Sequence, residues 1–244
     1  MVSKKKITIS WSGGKDSALA LYKILLSGEY EVAHLHTVFN ASNKRVGLHG
    51  VHENLIEKQA EAIGVPLVKL YLEESDNHDR YEALMKHFYN NCFREGIQAV
   101  MFGDIFLEDL REYRMRMLTT ARLEGVFPIW KIESARLLED FLNVGFKTLL
   151  CSAKSEYFEA ADVGKIITTD FVQRFSNKID ICGENGEFHT FVVDGPIFRS
   201  PVKFSLGEVT SRSYQYKVKR NDGTVEEQET AFWFQDINVF DLKN

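Results

Sequence analysis

The segment Ser12-Gly13-Gly14-Lys15-Asp16-Ser17 constrains the fold of this chain more than any other. It follows the short apolar run Ile7-Thr8-Ile9-Ser10-Trp11 and opens a helical pattern of Ala18, Leu19, Leu21, Tyr22, Leu25 and Leu26. A strand therefore enters a glycine turn and a helix leaves it. That geometry directs backbone N–H groups and the positive end of a helix dipole at one point, a natural seat for phosphate. Gly13 and Gly14 lack the Cβ atoms that would prevent close approach. Lys15 adds a mobile cation, and Ser12 and Ser17 add hydroxyls. A Walker A loop is excluded: Ile9 stands where its first glycine belongs, and Asp16 where Ser or Thr must follow the lysine. A carboxylate beside a phosphate suits Mg²⁺, which takes oxygen ligands and bridges to phosphate, so Asp16 is the candidate metal ligand. The competing possibility is a plain strand–helix turn with Asp16 in the favourable first turn.

Downstream, apolar periodicity predicts strands at Val32–Phe39, Leu67–Leu72 and Ile97–Ile105. Helices are predicted at Val51–Ile63, with Leu55, Ile56, Gln59, Ala60 and Ile63 near helical spacing, at Asp76–Arg94 and at Glu108–Glu124. Gly64 and Pro66 end the first of these, and Asn40–Gly47 reads as a polar loop. Strands alternating with helices imply a parallel sheet covered on both faces, whose ligands bind beyond the carboxyl ends of the strands. Residues 12–17, Thr37 and the Gly103-Asp104 pair all fall at such ends, so they are expected to converge. After Phe127-Pro128-Ile129-Trp130 the rhythm changes. A helix at Ser134–Val144, a strand at Phe146–Ser152 and a helix at Gly164–Phe175 give way to strands at Val202–Phe204, Ser213–Val218 and Phe232–Phe240, with a turn at Asn221-Asp222-Gly223. A domain boundary near Trp130 is expected, giving units 1–130 and 131–244.

The second informative stretch is Cys182-Gly183-Glu184-Asn185-Gly186-Glu187-Phe188-His189-Thr190. Asn185-Gly186 signals a two-residue hairpin turn. Along the outgoing strand Glu187, His189 and Phe191 share one face, so a carboxylate and an imidazole would project together as an acid–base pair. A solvated hairpin whose exposed face carries Glu and His is the alternative.

The Ser12–Ser17 stretch resembles the SGGxDS loop of the PP-loop ATP pyrophosphatases. Together with Gly183–Thr190, Asp194-Gly195-Pro196, His49-Gly50-Val51, Gly103-Asp104-Ile105 with Arg111, and Pro128-Ile129-Trp130, it resembles the diphthine–ammonia ligase family over nearly the whole chain. The resemblance implies an α/β fold, with a Rossmann-like PP-loop sheet of HUP type followed by a smaller α+β domain. It implies that ATP, with Mg²⁺, adenylates a carboxylate and that ammonia then displaces AMP. The acceptor would be diphthine, a modified histidine on elongation factor 2. Residues 1–130 would bind ATP through Ser12, Gly13, Gly14, Lys15, Asp16, Ser17, Thr37, Gly103 and Asp104. Lys15, Asp16, Glu187 and His189 would be the catalytic set, with the last two lining an acceptor pocket in 131–244. The pattern departs at His189, where many family members carry glutamate.

Composition narrows the alternatives. A net charge of −5, from 30 basic and 35 acidic residues among 244, disfavours a broad nucleic-acid surface. Cys92, Cys151 and Cys182 form no CxxC or zinc spacing, which fits a reducing, cytoplasmic compartment. No run of about 20 apolar residues suggests a membrane span. The sequence admits a homo-oligomer without specifying one. Two other functions stand beside the ligase: a tRNA-thiolating PP-loop enzyme, which the scattered cysteines and acidic charge oppose, and a nucleotide-sensing module without turnover. His49 and His52, Arg111 and Arg114 are weighed as phosphate contacts against helix-start and charged-surface roles.

Overall fold

The computed structural model describes residues 4–73, 76–219 and 225–240. In β1 (Lys5–Ser10), Ile7 and Ile9 turn to one side and Thr8 to the other, all fully buried. The chain then makes the glycine turn into α1 (Lys15–Ser27) and returns as β2 (Tyr30–Asn40). The expected 40–47 loop contains the two-residue strand β3 (Arg45–Val46), which pairs antiparallel with β4 (Val51–His52). The helix predicted from Val51 therefore begins later, as α2 (Glu53–Ile63), with His52 as its N-cap and Gly64 in the left-handed conformation at its end.

Next come β5 (Leu67–Leu72), α3 (His78–Arg94), β6 (Ala99–Met101), α4 (Glu108–Ala121) and β7 (Glu124–Val126). The expected strand at 97–105 is thus shortened to its centre, and β7 is a strand the periodicity did not predict. Three residues are too few for a period-2 signal, and Gly125 has no side chain to contribute. A Cβ there would meet Met115 Sδ at 2.6 Å, so the small residue lets α4 lie against the strand. The first sheet is parallel throughout, in the order β5-β2-β1-β6-β7. On one face α3 and α4 bury Met85, Phe88, Tyr89, Cys92 and Leu118 against Val100 and Phe102. On the other, α1 and α2 pack against Ile7, Ile9 and Leu35.

The remainder forms α5 (Ser134–Asn143), β8 (Lys147–Lys154), α6 (Thr169–Phe175), β9 (Phe188–Asp194), β10 (Phe204–Lys219) and β11 (Val225–Val239). Its antiparallel sheet has the order β10-β11-β8-β9. Residues 164–168, expected as helix, run extended beside β8, where Ile166 bridges Leu149 and Ile167 N–H donates to Thr148 O, 2.9 Å. Of the strand expected at 202–204 only Phe204 is strand, as the first residue of β10; the strand expected at 213–218 lies within β10, and that at 232–240 lies in β11 as far as Val239. The predicted turn at 221–223 lies outside the described residues. Asn185-Gly186 does not join two paired strands: residues 181–187 form consecutive turns, and β9 pairs instead with β8. The reason is local. Both oxygens of Glu187 are drawn back into the loop, accepting from the backbone N–H of Asp180 and Asn185, at 3.1 and 2.9 Å.

One apolar cluster runs from Ile7, Leu19 and Ile56 through to Phe191, Val192 and Leu149, so α1 is packed between the two sheets. At its centre sits Gln59, fully buried. It accepts from Trp11 Nε1 at 2.9 Å and donates to the carbonyls of Gly13 and Val192 at 3.0 and 2.6 Å. Gln59→Leu should leave these buried groups short of partners and cost about 3 kcal/mol, at about 1–3 kcal/mol per unsatisfied group. Urea unfolding of the variant against the parent measures this; a loss below about 0.5 kcal/mol would contradict the bridging role.

Candidate active site

The strand–turn–helix sequence at 5–27 places Ser12–Ser17 beyond the carboxyl end of β1, beside the ends of β2 and β6. A cleft of about 390 Å³ opens there, walled by Ser12, Lys15, Asp16 and Ser17 from the turn and by Thr37, Gly103 and Asp104 from the neighbouring strand ends. From the second sheet, Cys182, Glu184, His189 and Thr190 line the same cleft. The structure therefore brings together most of the residues that the sequence singled out, on both sides of the molecule.

Gly13 adopts φ +82°, a left-handed conformation that favours glycine. A Cβ on Gly14 would lie 2.9 Å from His49 Cε1, and one on Gly103 would lie 2.9 Å from the backbone of Asp16 and Ser17. These glycines let three segments close on one another. The turn is also internally braced: Ser12 Oγ accepts from Gly14 N–H at 3.2 Å, and Ser17 Oγ donates to Gly14 O at 3.0 Å. Not all the N–H groups expected at the helix start are open, since Lys15 N–H donates to Thr190 Oγ1 at 3.0 Å. Thr37 is engaged as well, donating to Trp11 O at 2.6 Å.

Lys15 is 1% exposed. Its ammonium donates to both Asp16 oxygens, at 2.7 and 2.8 Å, and to the Cys182 carbonyl. Burial opposes this charge, but the Asp16 carboxylate and its neighbours outweigh burial and hold the pKa above the ordinary lysine value. Asp104 is paired with Arg114, Nε to Oδ2 at 2.6 Å, and Arg114 lies over the Phe102 ring. Arg111 instead stacks on Phe127 and Trp130, away from the cleft wall.

Three histidines border the cleft and all are held neutral. His49 donates through Nδ1 to Thr190 O at 3.1 Å and stacks 4.7 Å from the His189 ring. Burial lowers the His49 pKa to about 4, and burial followed by the nearby His49 lowers that of His189 well below the usual value. His189 Nε2 is buried without a partner among the described residues. His36, on β2, is hydrogen-bonded through Nδ1 to the Thr8 hydroxyl at 2.9 Å, and its Nε2 has no partner among the described residues; burial lowers its pKa to about 3. His52 caps α2 through Nδ1.

Glu187 does not line the cleft. It is 5% exposed, and its carboxylate, also bonded to Asn185 Nδ2 at 3.1 Å, holds the 180–187 loop in shape. The expected alternation fails because residue 187 precedes β9 and belongs to the loop. The carboxylate that this loop presents to the cleft is Glu184, to which the sequence alone assigns no role. Burial, then the charges of Asp16 and Asp180, push its pKa up to about 7. Thr190 and Gln59 were also missed as site builders. Both are ordinary polar residues within regular elements, and only their tertiary partners reveal them.

A carboxyl with a raised folded-state pKa stabilises the fold while protonated, and that contribution is lost as pH rises from about 4.5 toward about 7. Relative to Glu184→Gln, the parent should therefore lose stability over this window and keep a constant difference above it. Denaturation midpoints of both proteins between pH 4.5 and 8 test this; parallel profiles would contradict the buried, like-charged setting of Glu184.

Among the described residues, no helix is long and apolar enough to cross a membrane. The diphthamide synthase N-terminal domain family matches residues 5–124, and the diphthamide synthase C-terminal domain family matches residues 133–235. The diphthine–ammonia ligase of Danio rerio is 24% identical over 83% of this chain and 87% of its own length. That of Homo sapiens is also 24% identical, over 83% of this chain and 84% of its own. The Schizosaccharomyces pombe protein of the same name is 23% identical, and the match covers only 36% of it. A solved U34-tRNA thiolase from Methanococcus maripaludis shares 17% identity over 58% of this chain and 57% of its own, with a TM-score of 0.36. By the succession of both domain families along its length, the chain belongs to the diphthamide synthase family.

Proposed function

We propose that this chain is an ATP-dependent carboxylate–ammonia ligase of the diphthine–ammonia ligase type. The observation that carries the reading is the match of both family domains across one cleft, in which a glycine turn, two hydroxyls and a buried lysine meet the 182–190 segment. Residues 1–130 hold the nucleotide and residues 131–244 supply the wall facing the acceptor. The acceptor carboxylate attacks the α phosphorus of ATP, and the α–β bond breaks to release pyrophosphate. Ammonia attacks the resulting acyl adenylate, loses a proton, and AMP leaves with the C–O bond electrons. Diphthine, which gives the relatives their names, is the proposed acceptor, carried on elongation factor 2, and the reaction is of the EC 6.3.1 class.

The donor set fits a triphosphate. Ser12 and Ser17 offer hydroxyls, Lys15 a full positive charge, and the start of α1 a favourable dipole. Phosphate oxygens can replace Asp16 and the Cys182 carbonyl as partners of the Lys15 ammonium. Among the described residues no three His, Cys, Asp or Glu side chains converge to form a metal site. Mg²⁺ commonly binds through one or two carboxylates plus substrate phosphates, so Asp16 would hold it together with the nucleotide, and the ion would neutralise charge on the leaving pyrophosphate. His189, with its buried Nε2 free, is the proposed contact to the acceptor or its adenylate. Glu187 acts at one remove, by holding the loop that carries Glu184 and Cys182. The thiolation alternative gains nothing from Cys182: burial pushes its thiol up to about 12, so little thiolate forms near neutrality.

Chromatography of a reaction with ATP, ammonium and a diphthine-bearing acceptor should give AMP and pyrophosphate. ADP and phosphate as the only products would overturn the reading. By calorimetry Lys15→Ala should weaken ATP binding by about tenfold or more, the scale of a lost charge-assisted contact. His189→Ala should leave ATP affinity within about twofold while reducing amidation strongly. Unchanged ATP affinity in Lys15→Ala would separate the lysine from the phosphates.

A further inference from the structure

We infer that β10 is a self-association edge, through which two copies of this chain pair antiparallel about Thr210 to make one continuous sheet. β10 is a 16-residue strand at the margin of its sheet, with β11 as its only strand neighbour among the described residues. β8 pairs with β11 at Phe232–Phe234, and Ser155 N–H donates to Ala231 O, so among the described residues much of the β10–β11 ribbon extends past the body of the sheet. A two-stranded ribbon alone is marginal in water. Exposed edges are usually blunted by proline, by dense charge or by a covering element. β10 contains no proline, and residues 205–213 are exposed without exception, on both faces of the strand. They include Leu206 at 49% and Val209 at 39%.

The charges on this edge point to a second copy rather than to a different partner. Glu208, Thr210 and Arg212 line one cavity of about 340 Å³ and so open to the same side. Neither charge has an ion-pair partner among the described residues: Arg212 only lies over the Phe234 ring at 5.5 Å, and nearby Asp236 is already paired with Arg45 at 2.8 Å. Each charge lies two residues from Thr210, in opposite directions. Antiparallel pairing about a two-fold axis at Thr210 therefore sets Glu208 of each copy opposite Arg212 of the other, because the same patch meets itself. One symmetric contact therefore forms two ion pairs. The irregularity between Leu206 and Val209 falls at Gly207 and Glu208, so it closes this segment at its Glu208 end and limits how far the pairing runs.

Sedimentation equilibrium of the full chain should show a dimer. Glu208→Arg and Arg212→Glu should each raise its dissociation constant by about tenfold or more, since attraction becomes repulsion at two symmetric positions. An equimolar mixture of the two variants should regain wild-type association, because each then supplies the charge the other lacks. Thr210→Cys should form an intermolecular disulfide under mild oxidation. Directly opposed residues have Cα atoms about 4.5–5.5 Å apart, within the range a disulfide accepts, and the native cysteines are buried. Circular dichroism confirms that each variant is folded, as expected for exposed positions. A monomer throughout the accessible concentration range, or a dimer indifferent to both charge reversals, would overturn the inference.

Discussion

The hydrogen bonds between the glycine turn and β9 are the constraint on which the rest of the structure depends. Val192 N–H donates to Gly13 O at 2.9 Å, Lys15 N–H donates to Thr190 Oγ1, and Gln59 bridges both segments from α2. Each bond lies in the buried interior, where an unmade partner costs about 1–3 kcal/mol. The turn therefore cannot adopt its conformation independently of the second sheet. Its shape comes partly from its own glycines and partly from a strand nearly 180 residues away in sequence.

This lacing explains how a lysine can be almost fully buried while charged. A lone ammonium in the interior would lose its proton rather than bear the desolvation cost. Lys15 keeps its charge because Asp16 follows it directly and because the 180–187 loop offers the Cys182 carbonyl. That loop is held by two carboxylates turned inward: Asp180 accepts from Cys182 N–H at 2.9 Å and from Ser134 Oγ at 2.7 Å, and Glu187 accepts from residues 180 and 185. Acidic residues that look catalytic in the sequence here set the backbone, and the loop they set completes the lysine site. Neutral His49 and His189 fit the same logic, since a second positive charge beside Lys15 would be repelled in a dry wall.

Much of this was legible in the sequence, for identifiable reasons. The first sheet has long apolar strands, helices ended by glycines such as Gly64, and a turn whose glycines, lysine and hydroxyls coincide at one strand–helix junction. What could not be read depends on contacts between distant segments. β7 is a strand because Met101 and Phe102 present an open edge to it, not because Glu124-Gly125-Val126 favours extension. Asn185-Gly186 carries a real local preference for a hairpin, but Glu187 captures the preceding N–H groups and the antiparallel partner is supplied by β8. The choice between Glu187 and Glu184 as the cleft carboxylate is decided by where the loop ends and the strand begins, a boundary that residue alternation alone misplaces by one.

The apolar cluster also bears on what the division near Trp130 means. Residues of β1, α1 and α2 share one buried cluster with residues of β8 and β9. Trp130 itself is half-buried, and its ring contacts are with Phe127 and Arg111. The strands of the two sheets separate cleanly in sequence at this point, but the packing does not. α1 buries Ala18, Leu19, Ala20 and Leu21 in that shared cluster, and the buried Gln59 has partners in both halves. The change of rhythm near Trp130 is therefore a division of topology laid over a continuous interior. A cleft whose walls are fixed by the same buried bonds that join the two sheets keeps the groups that line it in register.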